Sequence, residues 1–266
     1  MVERRASKAD AMPFTEGLRR EEEAAERSDV VYDMADGAER VQRRQGKLVV
    51  FEGIDGSGKS TQFELMCDRL AGEGIDFMRV RFPRYSEASS ALVKMYLGGE
   101  FGSDPDAVNA YAASSFFAVD RFASFVQDWR GYYQDGGLVL TDRYTTSNAL
   151  HQGAKLPPEH REPFFKWLYD YEFNLIGLPA PYLVIFMDIE AEQAVKRLSN
   201  RQVKTGTIGD IHEKDMTYLL HSTQSGKQAA LLHNWQRICC FDGGRERGQD
   251  EIHQEIWQSF RDWRVL

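Results

Sequence analysis

The stretch Gly53-Ile54-Asp55-Gly56-Ser57-Gly58-Lys59-Ser60 fits the phosphate-binding loop pattern G-x-x-x-x-G-K-[ST]. The apolar run at residues 47–51 is typical of a buried strand, and residues 61–70 have a helical pattern. Glycines let successive backbone N–H groups point at one anion, and the N-terminus of the following helix adds partial positive charge. The stretch therefore predicts a phosphate site, and the alternative is a glycine-rich turn that binds nothing.

Four side chains in or near this loop have the chemistry that phosphoryl groups require. Lys59 is expected to reach the β- and γ-phosphates of a nucleotide, and the Ser60 hydroxyl to ligate Mg²⁺. Asp142 directly follows an apolar strand pattern, where phosphate-loop enzymes place an acidic residue that holds Mg²⁺ directly or through water. The alternative for Asp142 is a carboxylate that caps the next helix. Arg143 is expected to clamp a second phosphate through paired hydrogen bonds.

Apolar runs alternate with helical patterns from residue 47 onward. Strands that alternate with helices favour a parallel sheet with helices on both faces and ligands at the carboxyl ends of the strands. We therefore expect a three-layer α/β/α domain over residues 47–266, built on a five-stranded parallel sheet. The predicted strands are 47–51, 77–82, 138–141, 182–187 and 237–241, and the predicted helices are 61–70, 107–133, 158–176, 191–201, 213–233 and 250–263.

The first 46 residues differ in composition from the rest of the chain. Twenty of them are charged, and apolar residues are sparse. This composition favours a disordered or loosely helical extension. The alternative is that translation starts further along the chain.

Composition also limits the classes of partner. The chain has 266 residues, 42% of them hydrophobic, and a formal net charge of -8. Nucleic acids and anionic membranes both reward a basic face, so we expect neither as a main partner. We see no apolar run that would span a bilayer and no signal-peptide pattern. Cys67, Cys239 and Cys240 show no metal-ligand spacing, which favours reduced thiols and a cytoplasmic location.

Four further motifs follow the phosphate loop along the chain. The loop itself lies in Phe51-Glu52-Gly53-Ile54-Asp55-Gly56-Ser57-Gly58-Lys59-Ser60-Thr61-Gln62, and the motifs after it are Phe82-Pro83-Arg84-Tyr85, Phe117-Ala118-Val119-Asp120-Arg121, Asp142-Arg143-Tyr144-Thr145-Thr146-Ser147-Asn148 and Asp210-Ile211-His212-Glu213. This ordered set resembles the thymidylate kinase family of nucleoside monophosphate kinases over about residues 47–260. The resemblance implies transfer of the γ-phosphoryl group of ATP to dTMP, with Mg²⁺ as the metal and a homodimer packed through helices.

The resemblance also implies a site for the base of the acceptor nucleotide. Phe117 is expected to stack on the thymine ring, and the alternative is core packing, because other phenylalanines lie nearby. Arg121, one helical turn later, is expected to hydrogen-bond the base edge. Asn148 offers both a donor and an acceptor to the base.

The sugar and phosphate of the acceptor have their own expected contacts. Arg143 is expected to hold the monophosphate with help from Arg84. Asp55 is expected to orient the acceptor phosphate or to contact the sugar 3′-hydroxyl. Phe82 and Tyr85 are the other expected contacts of the acceptor nucleotide in this part of the chain.

His151 departs from the family pattern, in which an aromatic residue near the deoxyribose helps to exclude a 2′-hydroxyl. Imidazole is smaller and polar, so the alternative activity is a deoxynucleoside monophosphate kinase with another base preference. The alternative role for His151 is an ordinary histidine on a helix face. A non-catalytic nucleotide-binding regulator is a further alternative, which the intact Lys59, Ser60 and Asp142 disfavour.

Residues 197–213 resemble the family's lid over the ATP phosphates. Gly56 and Ser57 leave no arginine in the phosphate loop, so the resemblance implies a catalytic arginine from the lid, Arg201 first and Arg197 second. The alternative for both is a solvated helix end with basic residues. Glu213 resembles an acidic residue near the nucleotide or metal. The implied ATP contacts are Arg197 and the loop residues Gly53, Ile54, Asp55, Gly56, Ser57, Gly58, Lys59, Ser60 and Thr61.

Overall fold

The structure is a computed structural model that describes residues 45–102, 104–205 and 216–266. The side chains of residues 105 and 200–205 are outside the description. The predicted extension therefore lies almost wholly outside the described residues. The same holds for Glu213 and for the Arg201 side chain, so both stay predictions.

Five parallel strands form the central sheet, as the alternation of strands and helices predicts. In the sheet they lie in the order β2-β3-β1-β4-β5, so β1 is central. Phe51 of β1 pairs with Asp142 on one side and Ile185 on the other, so β1 and β3 end within a residue of each other and β4 extends two residues further. The strands are β1 (Lys47–Glu52), β2 (Met78–Arg81), β3 (Leu138–Asp142), β4 (Leu183–Asp188) and β5 (Gln236–Cys239).

Nine α-helices occur in the described ranges, and they cover both faces of the sheet. Successive residues of β4 are all buried, although they point alternately to the two faces, so each face must be covered. The helices are α1 (Lys59–Gly72), α2 (Ala91–Leu97), α3 (Ala110–Ser124), α4 (Arg130–Gln134), α5 (Thr145–His151), α6 (Pro158–Tyr169), α7 (Ala191–Thr205), α8 (Met216–Leu232) and α9 (Gln249–Asp262). None of these helices has both the length and the apolar character needed to cross a membrane.

Short elements complete the fold and account for most differences from the prediction. A π-helical turn at Phe125–Trp129 joins α3 to α4, and another at Asp170–Leu175 extends α6. The predicted strand 237–241 is divided, because β5 ends at Cys239 and a two-residue strand, β6 (Phe241–Asp242), pairs with β7 (Arg245–Glu246). Helices α2 and α5 have seven residues each, too few for their periodicity to be recognised in the sequence.

The core lies on both sides of β1, whose residues from Leu48 to Glu52 are buried. Phe51 contacts Phe63 of α1 edge to face, with ring centroids 5.6 Å apart, and Phe260 of α9 at 6.4 Å. Helices α1 and α9 are thereby fixed against the centre of the sheet. Because α1 begins directly after the phosphate loop, this packing also fixes the loop.

Candidate active site

The carboxyl ends of the strands open into a cavity of about 650 Å³. This volume is within the usual range of small-molecule sites. The cavity brings together most of the side chains that the sequence predicts for the site, from five separate segments of the chain. The predicted residues in its wall are Ile54, Asp55, Gly56, Ser57, Gly58, Lys59, Ser60, Thr61, Phe82, Tyr85, Phe117, Arg121, Asp142, Arg143, Asn148, His151 and Arg197, whereas Gly53 and Arg84 do not line it.

The phosphate loop takes a conformation that its glycines make accessible. Gly58, with φ 89°, caps α1 without any side-chain hydrogen bond, so the first N–H groups of the helix are left for a ligand. Gly56 has φ 82°, and a Cβ there would lie 2.5 Å from the carbonyl oxygen of Ala194 in α7. Both positions therefore require glycine. The loop leaves helix N–H groups accessible, which fits the predicted phosphate site.

Lys59, Ser60 and Asp142 form one hydrogen-bonded group at the base of the loop. Lys59 Nζ donates to Asp142 Oδ1, and Ser60 Oγ donates to Asp142 Oδ2 at 3.1 Å. Arg81, which the sequence analysis did not single out, places Nε 3.3 Å from Asp142 Oδ2. Burial lowers the pKa of Lys59. Burial alone would raise the pKa of Asp142, but Lys59, Arg143 and Arg81 outweigh it, and the net shift is downward.

The residues at this point fit a magnesium ion. Mg²⁺ prefers hard oxygen ligands and is usually bound by one or two carboxylates together with substrate phosphates and water. The Ser60 hydroxyl and the Asp142 carboxylate are such ligands, and they lie in contact beside the start of α1. The low pKa of Asp142 keeps it ionised at neutral pH, which is the form that binds a cation.

Arg143 lies between the phosphate loop and α5. Its Nη2 donates to Asp55 Oδ1 at 2.5 Å, and its Nη1 donates to His151 Nε2 at 2.9 Å. Burial would lower its pKa, but Asp55, Glu52 and Asp142 outweigh that effect and raise it, so Arg143 stays a cation. Its backbone is left-handed, with φ 71°, a conformation that costs about 1 kcal/mol or more in a residue other than glycine. The surrounding contacts hold Arg143 in this conformation.

Glu52 is a buried residue of the site to which the sequence analysis gave no role. Its Oε1 accepts from the N–H of Gly53 at 2.9 Å, and its Oε2 accepts from the hydroxyls of Thr146 and Ser147, both at 2.8 Å. The carboxylate thus joins the start of the phosphate loop to α5. An ionisable residue at the end of an otherwise apolar strand is the signal that would have identified it.

Three predicted base-site residues lie at the other end of the cavity. Phe117 is half-buried and lines the cavity, which favours a stacking surface over a core position. Arg121 is paired with Glu172, through Nε–Oε2 at 2.7 Å and Nη2–Oε1 at 2.5 Å. Asn148 Nδ2 donates to Ser114 O at 3.2 Å and to Glu172 Oε1 at 3.3 Å. The amide donor of Asn148 is therefore held by the protein, which differs from the expectation that it would face the base.

Arg84 does not point into the cavity. Its backbone N–H donates to Asp120 Oδ2 at 2.8 Å, and its Nη1 donates to Asp128 at 2.6 Å and its Nη2 to Ser89 at 3.0 Å. These three acceptors lie on or beside α3 and surround the guanidinium. Arg84 therefore fixes the turn after β2, which contains the cis peptide Phe82–Pro83, against α3. This placement differs from the predicted contact with the monophosphate.

Arg197 is the arginine of the predicted lid whose side chain the structure describes. Its Nη1 donates to the carbonyls of Ser57 at 2.9 Å and Gly56 at 3.3 Å, and its Nη2 lies 2.7 Å from Glu246 of β7. Helix α7 is thereby connected to the phosphate loop and to the β6–β7 hairpin. The cavity wall on this side also contains residues that the sequence analysis did not single out, namely Leu198, Glu246, Arg247, Gln249 and Ile252.

These features define a class of protein. The phosphate loop follows the central strand and ends in Lys59 and Ser60. An ionised aspartate, Asp142, lies on the neighbouring strand β3, and Arg143 supplies a second cationic position. This is the arrangement of a P-loop nucleotide kinase. A family model described as thymidylate kinase matches residues 51–256, and the chain belongs to this family. Thymidylate kinases transfer a phosphoryl group from ATP to dTMP, so the chain is a nucleoside monophosphate kinase.

Individual relatives agree with the family model. The chain is 32% identical to a thymidylate kinase of Mycobacterium tuberculosis over 170 residues, which are 63% of this chain and 78% of that protein. It is 27% identical to one of Afipia carboxidovorans over 228 residues, which are 86% of this chain and 94% of the relative. The solved structure of thymidylate kinase from Candida albicans has a TM-score of 0.62 at 20% identity and covers 83% of this chain and 93% of its own, which supports the fold.

Proposed function

We propose that ATP and dTMP meet in the cavity described above, with their phosphates between the loop at 53–60 and Arg143. The observation that carries this proposal is the continuity of the cavity. The wall runs from Lys59 and Ser60, past Arg143, to Phe117 and Arg121. The cavity has one phosphate position at the loop, a second at Arg143, and the aromatic surface of Phe117 beyond Arg143. This layout suits a donor and an acceptor nucleotide bound together.

On the donor side, the pair Lys59–Asp142 is expected to separate when nucleotide binds. Lys59 would pair with the β- and γ-phosphates instead of Asp142, because a multiply charged anion attracts the ammonium more strongly than one carboxylate does. Ser60 Oγ and the Asp142 carboxylate would then hold Mg²⁺, which when bound neutralises charge on the phosphates. Most of the rate enhancement would come from alignment and charge neutralisation.

On the acceptor side, Arg143 is proposed to hold the monophosphate. Asp55 and His151 fix its guanidinium from two sides, so little conformational entropy is lost when the phosphate binds. Asp55 then acts on the acceptor phosphate through Arg143. The proposed role of Arg84 is to hold the turn that contains Phe82 and Tyr85.

The base site is proposed to select thymine by hydrogen-bond polarity. The ring of Phe117 would stack on the base, and Arg121 would donate to the oxygen on C4. Asn148, whose amide nitrogen is held by Ser114 and Glu172, would accept from the N3–H with its oxygen. Cytosine has an acceptor at N3 and a donor at C4, so it would oppose both contacts.

The lid is proposed to add positive charge beside the loop. The contacts of Arg197 with Gly56 and Ser57 support a role for this arginine at the phosphate loop. Arg201 and Glu213 stay predictions, because the Arg201 side chain and all of Glu213 lie outside the described residues. Lid closure would exclude water from the phosphates and so limit hydrolysis of ATP.

A homodimer through α3 is proposed from an exposed apolar face. Val119 and Phe122 lie three residues apart on α3, so they share one side of the helix, and Val126 lies in the π-helical turn that follows; the three are 51%, 44% and 38% exposed. Exposed apolar side chains that form a contiguous patch are typical of protein–protein interfaces. A second copy of the chain is the partner that the family resemblance suggests.

An assay of ADP release with ATP and Mg²⁺ tests the proposed activity. The acceptors to compare are dTMP, dUMP, dCMP, dAMP and dGMP, together with the ribose forms. The expected result is turnover that requires an acceptor and is fastest with dTMP. A preference for another monophosphate would overturn the base-site assignment, and a lack of any acceptor-dependent turnover would overturn the kinase assignment for this chain.

A further inference from the structure

Glu172 is a carboxylate with no exposed surface, in the π-helical turn that extends α6. Its Oε2 accepts from Arg121 Nε at 2.7 Å and from Thr145 Oγ1 at 2.6 Å. Its Oε1 accepts from Arg121 Nη2 at 2.5 Å and from Asn148 Nδ2 at 3.3 Å. Glu172 does not line the cavity itself. It therefore contacts both polar base-site residues, Arg121 and Asn148, without forming part of the cavity wall.

We propose that Glu172 is the positioning residue that sets the base preference of this enzyme. The proposal rests on the proposed function, in which Arg121 and Asn148 read the edge of the base. The assigned preference is for a pyrimidine with a hydrogen on N3 and an oxygen on C4, against one with a bare N3 and an amino group on C4. Glu172 acts on this choice through the orientation of two other side chains.

The effect on Arg121 follows from the paired contact. Two parallel hydrogen bonds to Glu172 fix the plane and the rotation of the guanidinium. A third N–H, on Nη1, lies 3.4 Å from the carbonyl oxygen of Tyr144. Of the five N–H groups of an arginine, those left over can only donate. Arg121 thus presents a fixed donor to the cavity, which suits an oxygen on C4 and opposes an amino group.

The effect on Asn148 is to decide which end of its amide faces the ligand. A carboxylate accepts and never donates when ionised, so the group next to Oε1 of Glu172 has to be the amide nitrogen. The carbonyl of Ser114 makes the same demand at 3.2 Å. Both hydrogens of Nδ2 are therefore used inside the protein, and Oδ1 is left for the ligand. An oxygen in this position accepts from an N3–H and repels a bare N3.

The chain conformation at Glu172 agrees with a positioning role. Helix α6 ends at Tyr169, and the π-helical turn from Asp170 to Leu175 follows without a break. A π-helical turn adds a residue to the helical repeat, which redirects the side chains after it, and such turns often occur at functional sites. Here the redirected side chain is the carboxylate that contacts α3 through Arg121 and α5 through Thr145 and Asn148.

The variant Glu172→Gln tests the proposal, because it keeps the shape of the side chain and changes one oxygen into a donor. Arg121 Nε and Thr145 favour the glutamine oxygen on their side, so the glutamine nitrogen would take the place of Oε1 and face two other donors, Asn148 Nδ2 and Arg121 Nη2. One of the two hydrogen bonds that orient Arg121 is then lost, and Asn148 is expected to turn its amide, against the Ser114 carbonyl, which places a donor toward the base. We expect the KM for dTMP to rise by about tenfold, and kcat to change less. The ratio of kcat/KM for dTMP to that for dCMP should fall by about tenfold or more.

Glu162→Gln is the matched control. Glu162 lies on α6 as well, but it is exposed and pairs with Lys166 on the surface at 2.8 Å. The same chemical change there should leave both the KM and the selectivity ratio unaltered. A folded Glu172→Gln protein with a lower Tm and an unchanged selectivity ratio would show that Glu172 only stabilises the fold, and that result would overturn the proposal.

Two further measurements keep the test decisive. If Glu172→Gln does not fold, Thr145→Val removes one donor to Glu172 and leaves both base-site residues in place. A KM for dTMP that is unchanged in Thr145→Val would contradict the proposal, and a rise of about threefold or more would support it. If the wild-type enzyme turns over no acceptor, the proposed function fails. Calorimetry with dTMP and dCMP then decides the inference, because equal affinity for the two nucleotides overturns it.

Discussion

Lys59 and Asp142 are nearly buried and neutralise each other in the cavity. A buried charge without a partner is strongly unfavourable, so each of these residues protects the other before a nucleotide arrives. The same pairing keeps Asp142 ionised and Lys59 close to the position where the phosphates are expected. The Lys59–Asp142 pair is therefore prepared for binding. When phosphate oxygens replace Asp142 as the partner of Lys59, the ammonium is never left unpaired.

Replacement of Lys59 tests this arrangement at the residue scale. Lys59→Met keeps most of the apolar stem and removes the charge that the phosphates need. We expect kcat to fall by about 100-fold or more, as it does when a single preorganised electrostatic contact is removed from other active sites. ADP release with dTMP as acceptor measures the effect. The matched control is Lys166→Met, at an exposed lysine on α6, which should keep the wild-type rate. A kcat for Lys59→Met within a few-fold of wild type would exclude the assigned role.

The turn after β2 depends on one arginine for its position against α3. Arg84 is the partner of Asp120, whose side chain is 1% exposed, and it also contacts Asp128. Without the Arg84 guanidinium, Asp120 would keep hydrogen bonds from Ser89 Oγ and from the backbone N–H of residue 84, but it would lose this cationic partner. The turn carries Phe82 and Tyr85 into the cavity wall, so the element has to be stable before the site is complete.

Arg84→Ala should therefore reduce stability. We expect the free energy of unfolding to fall by about 2–3 kcal/mol, because a nearly buried ion pair is broken from one side. Urea unfolding followed by circular dichroism is the measurement, with the exposed Arg130→Ala on α4 as the control. A direct phosphate contact predicts the opposite pattern, in which the KM for dTMP rises and the free energy of unfolding stays the same.

Helix α2 is connected to the chain after it by a second cation. Lys155, at the end of the 3₁₀ turn Gly153–Lys155, donates to Tyr96 Oη at 2.8 Å and to the carbonyl of Val108 at 2.7 Å. Burial lowers the pKa of Lys155 from 10.5 to about 8, although Asp106 and Asp104 act in the opposite direction. Between these two pH values the unfolded chain keeps a proton that the native protein has lost.

The sign of the resulting pH dependence follows from linkage. The free energy of unfolding rises with pH wherever the unfolded state binds more protons, so Lys155 contributes a rise between pH 8 and 10.5. We expect the wild type to gain stability relative to Lys155→Met when the pH is raised from about 7.5 to about 9.5. Urea titrations of both proteins at the two pH values measure the difference. A constant difference would show that Lys155 titrates at its ordinary pKa.

The sequence predicts the long elements well for a physical reason. Strands that are buried on both faces read as continuous apolar runs, so β1, β3 and β4 are found within a residue or two. Helices α2 and α5 are too short to show a period, and the π-helical turns depend on contacts with distant residues. The site residues likewise divide into those that the sequence predicts and those that it does not. Motifs within the chain identify Lys59, Ser60 and Asp142, whereas the role of Glu172 depends on donors from α3 and α5 and has no local signal.

At the scale of the whole molecule, the exposed face of α3 predicts an assembly. Phe122→Asp places a charge in the centre of the face formed by Val119, Phe122 and Val126. If this face joins two copies, the charge should convert a particle of about twice the 30.5 kDa chain mass into a monomer. Light scattering after size-exclusion chromatography gives the mass directly. Leu231→Asp on α8 is the control, because Leu231 is also apolar and is 80% exposed, but lies elsewhere. Equal masses for Phe122→Asp and the wild type would exclude this interface.

Gly56 has an evolutionary consequence. Any side chain at this position would collide with the backbone of Ala194, which belongs to the helix that leads into the lid. An ancestor with this packing could not have acquired a loop arginine there by a single substitution, because the helix would first have had to move. A relative that carries an arginine at this loop position should therefore differ from this chain by several coordinated changes, which include the helix at Ala194. Chimaeras that exchange the loop alone should fold poorly, and those that exchange the loop and the lid helix together should fold well.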